Sequence, residues 1–408
     1  MIESLLNVNR SGLYFALAIA VGYGATAFLF YFNTGFDPSY THLGIIALTS
    51  AAIIFVSSRG FRSVRQRDLR FVISFEAFIF IIWVPFLITI ALILVTAPAI
   101  PIVTALTGGS ADLVALQREE FLKGREGVAG LFVYANAFFT GALVPYTIAL
   151  MFLHRFKWRW ALTALFLAYS LSFVEKAFFL KVLVPIIYLF SVGMIRSYFG
   201  PKATLSLAFL VLLFVTTITG SGSDVVAGTS ANFFQATYSP PSPLMHIIWR
   251  SLAVPLFTAA DSLTVFHVYF FDTPLLGATS SFIAALFGLQ RVPYELIVFQ
   301  FQWGQNEAGT GSSNAVFLIE AFVNYGWAGV VVFSIVVGRL FKLFADSDNE
   351  ALRSVWPLLA LGLYTSGLVG QLLSNGFIVL LILEVFVRIR EPTNHTSHYQ
   401  TGERIWQT

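Results

Sequence analysis

Seven basic residues stand apart in this sequence. Arg118, Lys123, Arg125, Lys176, Lys181, Arg250 and Arg291 lie between or beyond long apolar runs, away from the clusters that hold the other Lys and Arg. A guanidinium grips phosphate oxygens through two parallel hydrogen bonds and keeps its charge where water is scarce. If Arg250, Arg118, Arg125 and Lys176 converge, they make an anion pocket suited to a lipid-linked pyrophosphate. Acids outnumber the cations on the same face, so only a local pocket can attract an anion. The competing reading pairs Arg118 and Arg125 with Glu119, Glu120 and Glu126 in a solvated loop, and makes Lys181 an interfacial anchor. Proton transfer from a hydroxyl needs a carboxylate or imidazole. Glu120, Glu175, Asp261, His267, Glu307 and Glu320 are candidates, with none singled out. His246 and Arg250 are four residues apart and Asp261 lies eleven beyond Arg250, one face of a helix if the segment is helical. The six histidines form no ligand cluster, HExxH, GxxxxGK[ST] and GxGxxG are all absent, and the chain has no cysteine. No metal site and no cofactor site is therefore expected, and disulfide or thiol chemistry is excluded. Asp346-Ser347-Asp348 has the Asp-x-Asp form used to hold a metal and a nucleotide sugar, but its loop is too short for a nucleotide domain. With Glu350 it reads as a solvated helix start.

The elements that carry these residues are dictated by solvent. Of 408 residues, 57% are hydrophobic and only 11% charged, too few charges to hydrate a soluble surface. Apolar runs of spanning length lie near 13–33, 43–58, 71–96, 128–153, 160–174, 177–195, 204–219, 314–337, 354–371 and 374–388. The chain thus reads as a single all-α polytopic membrane domain of about ten helices, its first span retained. Most Lys and Arg fall in alternate connections, among them Arg59 to Arg70 and Arg155 to Arg159. The positive-inside rule then puts both termini in the cytoplasm. The net charge of +3 belongs to those loops, so no nucleic-acid partner is expected. Two segments on the opposite side are long enough to act: 97–127 and 220–313. The second is rich in Phe, Trp, Leu and Ile, unlike a disordered linker, and should fold against the membrane with short interfacial helices. Within it, Leu244 to Phe271 approaches spanning length. Arg250, Asp261, His246 and Pro255 interrupt it, so an interfacial or re-entrant helix pair is predicted. No inverted repeat of the kind common in transporters stands out.

One stretch carries a family resemblance. GTGSSNAVFLIEAFVNYGWAGVVVFSIVVG, from Gly309 to Gly338, resembles the late signature of the Wzy-type oligosaccharide repeat-unit polymerases and the related O-antigen ligases: a polar turn, an Asn, an apolar run with a Glu, then N-[FY]-G-x-x-G. Asn314, Glu320, Asn324, Tyr325, Gly326 and Gly329 match. REEFLKGREGVAG, FVEKAFF and Arg250 in a large late loop agree in layout. Two departures demote the ligase: Ser313 stands where ligases place a histidine, and no arginine-x10-glycine repeat is present. The resemblance implies a GT-C-like fold and a glycosyltransferase of the bacterial inner membrane, with its site facing the periplasm. Its partners would be an undecaprenyl-pyrophosphate-linked oligosaccharide, the lipid bilayer, a chain-length regulator and a flippase. The residues expected to act in catalysis are Arg250, Arg118, Arg125, Lys176, Glu320, Asp261 and Glu307. Arg291, His267, Asn314, Asn324 and Lys181 are expected to bind substrate. The rival from another class is a transporter or flippase of lipid-linked saccharide.

Overall fold

A computed structural model describes residues 7–33, 37–60, 71–109, 111–122, 130–172, 180–195, 206, 209–210, 213, 232–304, 312–313 and 316–390. The helices in chain order are α1 (Val8–Phe32), α2 (Pro38–Ser57), α3 (Phe75–Thr96), α4 (Pro101–Leu106), α5 (Ala111–Leu122) and α6 (Gly130–Leu153). Then come α7 (Arg159–Ser172), α8 (Leu180–Ser191), α9 (Pro243–Phe270), α10 (Ser281–Phe287), α11 (Tyr294–Trp303) and α12 (Phe317–Asp346). The chain closes with α13 (Glu350–Ser354), α14 (Trp356–Thr365), the π-helical α15 (Gly370–Ser374) and α16 (Phe377–Phe386). Two short strands, β1 (Phe71–Ser74) and β2 (Val387–Arg390), pair in parallel with Phe71 opposite Val387.

Six of these helices, α1, α2, α3, α6, α9 and α12, are long and apolar enough to cross a membrane. Side chains such as Leu29, Phe80, Ile81 and Val95 point outward from them and remain exposed, as lipid-facing positions should. Between spans, small residues allow close approach. A Cβ on Gly338 would fall 1.9 Å from the Ser57 hydroxyl, and Ser50 and Ser334 share a 2.7 Å hydrogen bond. α2 starts at Pro38 with the Asp37 carboxylate capping the Ser39 N–H at 2.9 Å, a standard helix entry.

The bundle has two chemically different ends. At the Ser57 end, Arg339 packs against Gly60, Arg353 donates to Asn9, Phe75 meets His154, and β2 brings Arg388 and Arg390 beside β1. At the Asp37 end, Ser39 meets Thr264 of α9, and His42 stacks edge-on against Phe322 of α12. Most of the described basic residues thus collect at the first end, while acids stand at both, Asp346, Glu350 and Glu384 at the first and Asp37 and Asp261 at the second.

Two expectations need correction. Pro243–Phe270 is one continuous helix of 28 residues, not a pair, with Pro255 accommodated inside it. Ser242 caps its start by accepting from the Met245 N–H at 3.2 Å, and Phe271 ends it in the left-handed region. The second correction concerns 314–337, expected as one span. The Phe15 ring lies 6.1 Å from Phe317 and 4.8 Å from Phe341, yet those two would be roughly 36 Å apart on a straight helix. α12 is therefore folded back on itself at Gly326, whose φ of 60° and ψ of −150° are not helical. A short arm from Phe317 to Tyr325 climbs toward the Asp37 end, and a long arm from Trp327 returns beside α2. The spans expected at 160–174 and 177–195 are described as α7 and α8 over 159–172 and 180–191, and those at 354–371 and 374–388 are the broken series α13 to α16. The span expected at 204–219 falls mainly outside the described residues.

Candidate functional site

Near the Asp37 end, α9 and α11 pack side by side and hold a polar cluster. Asp261 of α9 is half-buried and accepts from the Gln302 amide of α11 at 2.8 Å. The same amide nitrogen reaches Thr258 at 3.2 Å, and the Ser313 hydroxyl donates to the Gln302 carbonyl at 2.5 Å. The Ser313 N–H donates to the carbonyl of Glu295 at 3.0 Å, so the stretch leading into α12 is tied to α11. Tyr294, at the start of α11, donates its hydroxyl to the Ser262 carbonyl. Burial there pushes the phenol well above its usual range, so it stays a neutral donor. Asp37 and Tyr40 of α2 lie close enough to Asp261 to interact electrostatically. The result is a carboxylate fixed by an amide through one oxygen, with no bond to the other among the described residues. That is what a proton acceptor for a hydroxyl requires.

The expected cations are only partly placed. Arg250 is exposed on α9, eleven residues or roughly 16 Å of helix axis from Asp261. Arg118 belongs to α5. Arg125, Lys176, Glu307 and Asn314 lie outside the described residues. Lys181 is half-buried at the start of α8. Arg291 forms a 2.5 Å ion pair with Glu295, four residues on. His267 pairs with Asp272 at 2.8 Å in an exposed position beyond the end of the Asp261 cluster. Such exposed pairs contribute about 0.2–1 kcal/mol. Among the described residues there is no group of three or more His, Asp or Glu able to hold a metal.

Glu320 and Asn324 occupy the short arm of α12, one turn apart. The Asn324 carbonyl oxygen accepts from the Gly277 N–H at 3.0 Å, and its amide donates to Thr279 at 2.8 Å and to the backbone carbonyl of Glu320 at 2.8 Å. The turn after α9 is pinned further: the N–H groups of Leu275 and Leu276 donate to the carbonyls of Val323 and Asn324. Glu320 turns the other way. Its carboxylate accepts from the Val369 N–H at 3.3 Å, in the interruption between α14 and α15. A Cβ on Gly367 would lie 2.7 Å from that carboxyl carbon, so a larger residue there would push the Glu320 carboxylate aside. A cavity of about 510 Å³ opens beside these contacts, lined by Tyr134, Ala135 and Phe138 of α6, Ser280, Ser281 and Phe282 at α10, and Val369, Gly370, Leu373 and Ser374 at α15.

Sequence reasoning missed Gln302, Ser313 as a tether, Thr279 and Gly367. A glutamine in FQFQW and a glycine in YTSGLVG carry no signature, although the unpaired polarity of Gln302 within an aromatic helix was a usable signal. No protein-family model matches the chain, and neither a curated protein nor a solved structure shows detectable similarity to it. The class that fold and composition define is a multi-pass helical membrane protein.

Proposed function

We propose that this chain is an inverting, metal-independent membrane glycosyltransferase that polymerises undecaprenyl-pyrophosphate-linked oligosaccharide repeat units at the periplasmic face of the bacterial inner membrane. The observation that carries the proposal is Asp261, a half-buried carboxylate held by Gln302 near the Asp37 end of the bundle, beside the Ser313 stretch that leads into the Glu320 and Asn324 motif. In this reading the fold is GT-C-like with about ten spans, both termini are cytoplasmic, and the Asp37 end faces the periplasm. The segregation of basic residues to the other end supports that orientation.

The donor brings its own activated leaving group. A hydroxyl oxygen of the next repeat unit attacks the anomeric carbon from the face opposite the pyrophosphate. The bond from that carbon to the phosphate oxygen breaks, and its electron pair leaves with undecaprenyl pyrophosphate. Asp261 takes the hydroxyl proton. Charge grows on the departing pyrophosphate, so cations fixed around it stabilise the transition state. Arg250, Arg118, Arg125 and Lys176 are assigned that task. Arg291, His267, Lys181 and Asn314 are assigned to saccharide binding, and Glu307 remains an alternative base. The test is purified protein with lipid-linked repeat units in detergent, with products sized on a gel. Asp261→Asn should lower chain growth by about 10² to 10⁴ while the protein stays monodisperse; normal growth would remove Asp261 as base.

One observation favours a second reading. The arm that reverses at Gly326 carries Glu320, which bonds the interruption before α15, and paired helix breaks beside a substrate site are a device of secondary transporters. A transporter would move lipid-linked saccharide across a vesicle membrane and leave its chain length unchanged.

A further inference from the structure

The cavity beside α6 takes two of its walls from segments far apart in sequence, and one short arm holds both. Asn324 fixes the turn whose Ser280, Ser281 and Phe282 form one wall. Glu320, one turn away on the same arm, fixes the interruption whose Val369, Gly370, Leu373 and Ser374 form the other. The lining contains no charged side chain, so it does not suit a pyrophosphate. Phe282 of the lining, and Leu286 and Phe287 further along α10, are 57%, 65% and 68% exposed. In water these would form a costly apolar patch, whereas hydrocarbon would cover them, on the helix that carries the Phe282 wall of the cavity. The volume lies in the range of small-molecule sites.

We propose that Glu320 and Asn324 are positioning residues that hold open, from a single arm, a side-entry groove for the polyprenyl chain of the lipid-linked donor. The claim deepens the polymerase reading and rests on it for the identity of the lipid. The chain of the donor must be anchored in the leaflet while its pyrophosphate reaches the Asp37 end, and this groove offers apolar walls beside the α9 to α10 turn at that end. Neither Glu320 nor Asn324 exchanges atoms with substrate in this role. Each supplies an acceptor to a backbone N–H freed where a helix or turn breaks, and without it that wall is released into the cavity.

The test uses the full chain in nanodiscs and two photoactivatable probes: a polyprenyl phosphate with a mid-chain diazirine, and a phosphatidylglycerol with the same group in its acyl chain. The polyprenyl probe should label 134–138 and 369–374, and unlabelled polyprenyl phosphate should compete it away. Asn324→Ala and Glu320→Ala should each lower that labelling by about tenfold, and Glu320→Gln should retain it, because an amide oxygen accepts the same N–H. Melting in detergent confirms that each variant is folded; should Glu320→Ala fail to fold, Asn324→Ala and the competition measurement decide. Equal labelling by both probes would reduce the groove to ordinary lipid-facing surface, and unchanged labelling in both folded alanine variants would remove the positioning role. Selective labelling of protein that never extends a saccharide would support the groove and overturn only the polymerase reading.

Discussion

α2 and the short arm of α12 both end near the Asp37 end of the bundle, but they hold their backbones together by opposite means. α2 is an unbroken helix of 20 residues whose backbone hydrogen bonds are made within it, and Asp37 and Pro38 suffice to start it. The short arm has no such continuity. It enters at Val316, reverses at Gly326 and borrows partners from two other parts of the chain. In hydrocarbon a helix break is tolerated only where protein groups replace the lost hydrogen bonds. Side-chain substitutions in the arm should therefore damage the whole protein, and equivalent ones in α2 should hardly matter.

That contrast can be broken or sharpened by melting purified variants in detergent, beginning with the largest effect. Gly326 sits at φ 60° and ψ −150° with nothing within 4 Å of an added Cβ. Gly326→Val should cost about 1–3 kcal/mol or more from backbone strain alone; wild-type melting would mean that α12 is not folded back. Asn324→Leu strands the Gly277 N–H and the Thr279 hydroxyl and should cost about 1–3 kcal/mol, with the turn at 275–280 becoming cleavable by protease. A protected turn would contradict its dependence on the arm. Ser50→Ala in α2 removes one bond between spans and should cost about 0.6 kcal/mol; a loss as large as that of Asn324→Leu would erase the contrast. Smallest of all, His267→Ala breaks an exposed pair and should change stability by less than about 0.5 kcal/mol. A larger effect would show that the Asp272 turn depends on it.

The same contrast explains what could be read from sequence. α1, α2, α3 and α6 lie close to the apolar runs that predict them, because run length alone decides whether a helix crosses hydrocarbon. α9 was misread because Arg250, Asp261 and His246 were counted as interruptions. Within one long helix, Asp261 finds Gln302 and Arg250 faces outward, so local charge did not end the helix. The reversal at Gly326 is invisible to hydropathy, since both arms are apolar. Glu320 and Asn324 were singled out through a resemblance, but their partners lie 49 and 47 residues away, and no local pattern points to them. Asp261 was only one candidate among several, because its distinguishing feature is an amide 41 residues downstream.

The arm's two attachments also differ in when they can form. The Gly277 partner of Asn324 has already been synthesised when Asn324 emerges, whereas the Val369 partner of Glu320 follows it by 49 residues. At ribosomal speeds of about 5–20 residues per second, that is a delay of roughly 2 to 10 seconds. Through that interval the nascent protein holds a carboxylate whose backbone donor does not yet exist. The wall at 280–282 can therefore assemble first, and the wall at 369–374 can be set only when the last helices join the bundle.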